Sequence, residues 1–181
     1  NKPNQEGLYR HFSAVADLGL PVVLYNVPGR TGREIAIETI VRLADHPSVV
    51  TVKEAGGCVD RVSQILSVCD IGVLSGDDAL TLPMMSVGAD GVISVASNVI
   101  PEVMVRMVQA ARDGRWDDAR EIHLAHHKLF SDMFLDTNPL PVKAALAMMG
   151  LCDEVYRLPL CEMQDDLKES LRSTLKAAGV I

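Results

Sequence analysis

Val49-Val50-Thr51-Val52-Lys53 is a short β-branched run closed by a lysine, the composition of a buried strand with one residue out of place at its end. Lysine is among the residues least often fully buried, so at this position it needs a partner or a task. The ordinary reading is a snorkelling side chain, its stem lying on apolar surface and its ammonium in water. The other reading is covalent chemistry, because burial disfavours the charged amine and a neutral amine attacks a ketone to form a Schiff base. The surrounding chain chooses between the two.

Working outward, Pro21 to Tyr25, Val49 to Lys53, Ile71 to Ser75 and Gly91 to Val95 are runs of strand length rich in β-branched residues. Helical patterns fill the intervals. Ile35 to Ala44 carries Ile37, Ile40, Val41 and Ala44 at three- and four-residue spacing and stops before His46-Pro47. Cys58 to Val68 repeats that spacing, Asp77-Asp78 is placed to cap Ala79 to Val87, and Pro101 opens a helix running through Ala111. Gly7 to Leu18 is helix-like as well. Strands alternating with helices predict parallel pairing through right-handed crossovers, and the class is α/β.

Polar residues then select among α/β folds. Tyr25, Lys53, Gly76 with Asp77, and Ser94 with Ser97 and Asn98 fall at or just past the carboxyl ends of successive strands, the face on which a (β/α)₈ barrel builds its active site. A doubly wound sheet usually announces itself with a glycine-rich first turn, and no G-x-G-x-x-G or Walker loop is present. A complete barrel runs to roughly 250 residues and eight strands. This chain has 181 residues and begins Asn1-Lys2-Pro3-Asn4-Gln5-Glu6, without an initiator methionine or a signal-peptide core. The expectation is the second half of a (β/α)₈ TIM barrel over residues 1–114, with the first half absent, followed by a helical C-terminal extension over residues 115–181. Four parallel strands alone leave two open sheet edges and an uncovered barrel interior.

Hydrophobic residues make up 48% of the chain and charged residues 23%, enough for a core, and the net charge of -7 argues against nucleic acid or an anionic membrane as partner. No apolar stretch is long enough to span a bilayer. Cys58, Cys69, Cys152 and Cys161 lack metal-site spacing and are expected as reduced core thiols of a cytoplasmic protein. His123, His126 and His127 share a helical face, but no further ligand stands at matching spacing, so no metal site is expected. Met84-Met85 and Met148-Met149 read as core packing or subunit contacts.

Several motifs in order carry a family resemblance across essentially the whole chain. Tyr25-Asn26-Val27-Pro28-Gly29-Arg30-Thr31-Gly32, Val52-Lys53-Glu54-Ala55, Leu74-Ser75-Gly76-Asp77-Asp78, Gly91-Val92-Ile93-Ser94-Val95-Ala96-Ser97-Asn98 and Asn138-Pro139-Leu140-Pro141-Val142-Lys143 resemble the dihydrodipicolinate synthase family within the pyruvate-dependent class I aldolases. The resemblance implies that Lys53 forms an imine with pyruvate, that the derived enamine attacks aspartate semialdehyde, and that Tyr25 moves protons. It implies Arg30 as the fork for the semialdehyde carboxylate, Gly76 and Ile93 as lining of the pyruvate pocket, no cofactor, and a homotetramer in the cytoplasm. Arg30 also separates this family from the sialic acid lyases, which share the lysine and the tyrosine and generally lack the arginine. A related pyruvate lyase or keto-acid aldolase is the nearest alternative.

The departure from the family is at the beginning. Its Gly-Thr-Thr-Gly-type turn, which holds the pyruvate carboxylate and completes the proton relay, has no counterpart among these residues, and neither has the tyrosine that reaches across the dimer interface. The expectation is that these 181 residues alone lack turnover, whether as a fragment of an enzyme or as a catalytically incomplete homologue.

Overall fold

Leu24, Val52 and Val73 stand at matching positions on neighbouring strands and are fully buried, whereas Val23 and Tyr25, on the alternate face, are 43% and 40% exposed. That two-residue alternation places one side of a sheet under helices and leaves the other open. The strands belong to a computed structural model that describes residues 2–181; Asn1 of the opening segment lies outside them. The chain divides into two units, Asn1–Ile93 and Ser94–Ile181.

In the first unit, helix α1 (Gln5–Ala16) leads into strand β1 (Val22–Asn26), the short helix α2 (Pro28–Thr31) and α3 (Ile37–Ala44). Strand β2 (Val49–Glu54), α4 (Asp60–Leu66), β3 (Gly72–Ser75), α5 (Thr81–Ser86) and β4 (Gly91–Val92) follow. All strand pairs are parallel and the order is β1-β2-β3-β4. An order that never reverses has no topological switch point, which is the winding of a barrel arc rather than of a doubly wound sheet. Helix burial agrees: Ile40 and Leu43 of α3, Val62 and Ile65 of α4 and Met84 of α5 are fully buried. Asn4 caps α1, its side chain accepting from the Gly7 N–H at 2.8 Å. Gln5 then ties α1 to the start of α3, accepting from the Ala36 N–H and the Thr39 hydroxyl and donating to the Glu34 carbonyl.

The second unit, described by itself, is helical. A 3₁₀ turn (Ala96–Asn98) precedes α6 (Pro101–Arg112), α7 (Trp116–Asp132), α8 (Leu140–Met148) and α9 (Asp165–Ala177). Pro101 opens α6, where its missing N–H costs nothing. Met107, Leu129, Phe130, Met133, Leu171 and Leu175 form its core. The buried Asp132 carboxylate accepts from the Thr174 hydroxyl and the Lys128 ammonium, each at 2.5 Å, pinning α7 to α9.

Several boundaries differ from the expected ones for local reasons. The strand expected over Gly91 to Val95 ends at Val92, and the Ser94 hydroxyl instead accepts from the Ser97 N–H at 2.8 Å at the start of the 3₁₀ turn. Asp77 closes a turn rather than capping a helix at Ala79: its carboxylate accepts from the Ala79 and Leu80 N–H groups, and α5 begins only at Thr81. The segment after β1 coils into α2, closed by Gly32 in the left-handed region at φ 68°. The cysteines are not core residues. Cys58, Cys152 and Cys161 are exposed free thiols and Cys69 is half-buried, because the three exposed ones sit in loops rather than on a helix or strand face.

Candidate active site

Tyr25 and Lys53 are register partners near the carboxyl ends of β1 and β2, both on the open face of the sheet. Alternation along the two strands brings them there, and the Lys53 Nζ lies 4.1 Å from the centroid of the Tyr25 ring. Lys53 is half-buried, its Cε lying beside Gly76. An amine and a phenol at this separation supply a nucleophile and a group able to pass protons.

Gly76 completes the immediate surroundings. Its N–H donates to the Glu54 carbonyl at 2.8 Å, and a Cβ placed on it would fall 2.6 Å from the Ala55 Cβ and 3.0 Å from the Lys53 Cε. Glycine is required here by proximity, and it is that proximity which puts Gly76 beside the lysine. Ile93, 41% exposed, follows β4, and its N–H donates to the Ser75 carbonyl at 2.9 Å, one residue before Gly76. Tyr25, Lys53 and Gly76 are thus brought together by direct proximity, and Ile93 through the backbone. Arg30 stands on α2, exposed, in the turn that leaves β1. A cavity of about 400 Å³ lies against Tyr25, walled by Leu8, His11, Phe12, Thr31 and Arg33 among others; its wall includes Tyr25 but not Lys53.

On the opposite face of the same two strands lies a polar cluster that the sequence reading passed over. Glu54 is fully buried, and its carboxylate accepts from Asn26 Nδ2 at 2.8 and 3.0 Å, from the Gly56 N–H at 2.7 Å and from Arg61 Nε at 3.0 Å. Arg61 also donates to the Ile35 carbonyl at 2.9 Å and pairs with Glu34 at 2.6 Å, while Asn26 Oδ1 accepts from the Ile35 N–H at 3.0 Å. A buried carboxylate persists when it is paired and its lone pairs are filled, as these are. The signal was present in the sequence. Leu24-x-Asn26, Val52-x-Glu54 and Val73-x-Ser75 each set a polar residue two places beyond a core residue, on the same face.

The histidines of α7 are arranged differently from a ligand set. His126 Nδ1 lies 2.8 Å from the Ile122 carbonyl, His123 and His127 meet edge to face at 5.7 Å, and among the described residues no group of three His, Cys, Asp or Glu side chains is placed to hold a metal ion. Among the same residues no helix is long and apolar enough to cross a membrane.

A singly wound parallel α/β sheet with a lysine at a strand's carboxyl end is the architecture of a barrel protein with its chemistry at the strand tips. Within that class the chain belongs to the Dihydrodipicolinate synthetase family, which it matches over residues 1–178. It is 51% identical over 186 residues to the 4-hydroxy-tetrahydrodipicolinate synthase of Persephonella marina, an alignment covering 100% of this chain and 64% of that protein. Among solved structures it is similar to the dihydrodipicolinate synthase of Aquifex aeolicus, at 46% identity and a TM-score of 0.97, covering 99% of this chain and 63% of that one. It is also similar to the chloride-inhibited dihydrodipicolinate synthase of Acinetobacter baumannii complexed with pyruvate, at 42% identity and a TM-score of 0.96, covering 100% of this chain and 63% of that one. The fold is therefore the second half of a (β/α)₈ barrel followed by a helical C-terminal extension. The chain spans less than two thirds of the length of the curated relatives it matches.

Proposed function

We propose that the complete protein condenses pyruvate with L-aspartate 4-semialdehyde to give 4-hydroxy-tetrahydrodipicolinate, a lyase step of lysine and diaminopimelate biosynthesis. The observation that carries this is the Lys53 amine 4.1 Å from the Tyr25 ring centroid at adjacent strand ends. The amine lone pair adds to the pyruvate ketone, the carbonyl oxygen leaves as water, and an imine remains. Loss of a methyl proton gives the enamine, whose carbon bonds to the aldehyde carbon of the semialdehyde while the aldehyde oxygen takes up a proton. The semialdehyde's own amine then attacks the imine carbon, closes a six-membered ring and expels Lys53 as a free amine. Tyr25 relays protons in imine formation and ring closure. Arg30 offers its planar fork to the semialdehyde carboxylate, and Gly76 and Ile93 border the pyruvate pocket. The reaction calls on no metal or cofactor.

On this reading residues 1–114 supply the second half of the barrel and residues 115–181 the extension, and the complete protein works as a cytoplasmic homotetramer. Incubation of the complete gene product with pyruvate and borohydride is expected to leave a reduced adduct on Lys53, located by peptide mass mapping. An adduct on Lys143 instead, or none in folded protein, overturns the Schiff-base assignment. The Arg30→Ala variant should still form the pyruvate adduct while its kcat/KM for the semialdehyde falls about tenfold or more, the loss expected for a charge-assisted contact. Unchanged kinetics would remove Arg30 from the site and favour a lyase or keto-acid aldolase.

A further inference from the structure

Asn26 and Glu54 each directly follow a member of the Tyr25–Lys53 pair, are themselves register partners, and point to the opposite face of the sheet, where both are fully buried. Side chains alternate along a strand, so fixing the rotation of Asn26 and Glu54 also fixes the pleat that aims Tyr25 and Lys53 the other way. The fixing is thorough. Asn26 donates to both Glu54 oxygens, the Gly56 N–H closes the turn after β2 on the same carboxylate, and Arg61 reaches it from α4. The cluster also places charge behind the lysine: the Glu54 carboxylate is balanced by Arg61, whose outer side meets the half-exposed Glu34 carboxylate.

We propose that Glu54 and Arg61, locked to β1 through Asn26, are positioning residues that set both the orientation and the charge background of Lys53 from the far face of β2. The inference rests on the Schiff-base reading of Lys53 and adds to it. On the open face Lys53 meets Tyr25 from β1 and Leu74 and Gly76 from β3. The other charged groups near these strand ends are Arg30 on α2 and Asp77 and Asp78 after β3. Against that setting the two halves of the buried pair act with opposite sign. An unbalanced carboxylate behind Lys53 favours its ammonium form, and an unbalanced guanidinium favours the free amine. A pair serving only to hold the strands would lower the rate on losing either member without moving the pH at which the amine reacts.

The test uses the complete gene product, pyruvate and cyanoborohydride, with the rate of adduct formation on Lys53 followed against pH. Glu54→Gln, nearly isosteric, is expected to shift the profile down by about one pH unit, and Arg61→Met to shift it up by a similar amount. Arg61→Lys keeps the charge and should return the midpoint to that of the unsubstituted protein. The inference is overturned if Glu54→Gln leaves the profile in place, or if Glu54→Gln and Arg61→Met move it in the same direction. Should either buried variant fail to fold, Glu34→Gln decides in its place, because that side chain faces solvent on the outer side of Arg61. A downward shift of a few tenths of a pH unit then supports the inference and an unmoved profile ends it. Failure of the unsubstituted protein to form any adduct on Lys53 would remove the Schiff-base reading, and this inference with it; an adduct with unmoved variant profiles removes this inference alone.

Discussion

At the scale of single residues, the site depends on a hydrogen. Gly76 leaves room for the Lys53 stem, and a methyl group in its place would meet both the Ala55 Cβ and the Lys53 Cε inside van der Waals contact. The Ala55 N–H donates to the Asn26 carbonyl of β1 at 2.9 Å, so its position is fixed by the backbone and the lysine is the part that gives way. Gly76→Ala in the complete gene product is expected to cost about 1–3 kcal/mol of stability through overpacking. It should slow adduct formation with pyruvate by about a hundredfold, the typical penalty for displacing a reacting group by about 1 Å. Urea unfolding and single-turnover trapping read the two effects separately. A variant that traps pyruvate at the original rate would show that Gly76 does not shape the lysine's position.

At the scale of elements, β1 and β2 each work on two faces at once. One face buries Leu24 with Asn26, and Val52 with Glu54; the other presents Tyr25 and Lys53. Helix α7 carries a different asymmetry. His123 is half-buried beside His127 and Phe130, and its Nδ1 has no hydrogen-bond partner among the described residues. Burial, and after it the charge of His127, holds His123 below its ordinary value of 6.5. The folded state therefore resists a proton that the unfolded chain accepts. As pH falls through about 6.5 the unfolded state binds more protons than the folded one, and stability is lost until the pH is below the folded-state value. His123→Leu should remove this component. Between pH 7.5 and 5.5 the urea midpoint of the unsubstituted protein should fall further than that of the variant, and equal falls would show that His123 contributes no pH dependence.

At the scale of the molecule, the sheet of the first unit ends in β1 on one side and β4 on the other, and each edge strand leaves a row of backbone donors and acceptors outside the ladder. Val23 and Tyr25 on its open face, and Ile93 beyond β4, are 40% or more exposed. In a closed barrel those edges are paired and that face is covered by the opposite layer of side chains. The 181-residue polypeptide prepared alone should accordingly associate through these edges and this face, sedimenting as oligomers or aggregate at micromolar concentration, whereas the complete gene product should not aggregate. A soluble monomer with one sharp thermal transition would show that these residues close their own core.

The α/β class, the parallel order and the placing of Tyr25, Lys53 and Gly76 at strand ends were legible in the sequence, because two-residue alternation and three- to four-residue spacing are local properties written into side-chain polarity. Burial of Leu24, Val52 and Val73 follows from the same pattern. What local pattern did not contain was distance. That Glu54, Asn26 and Arg61 form one buried cluster depends on β1 pairing with β2 and on α4 crossing back over them: Asn26 and Glu54 meet across 28 positions, and Arg61 reaches the Ile35 carbonyl across 26. That Gly76 abuts the Lys53 stem depends on the close approach of β3 to β2, and the early end of β4 goes with the two hydrogen bonds that join Ser94 and Ser97. A lysine at a strand end names a chemistry, because an amine's reactivity belongs to the residue itself; the surroundings that orient it and balance its charge are assembled only when distant segments meet.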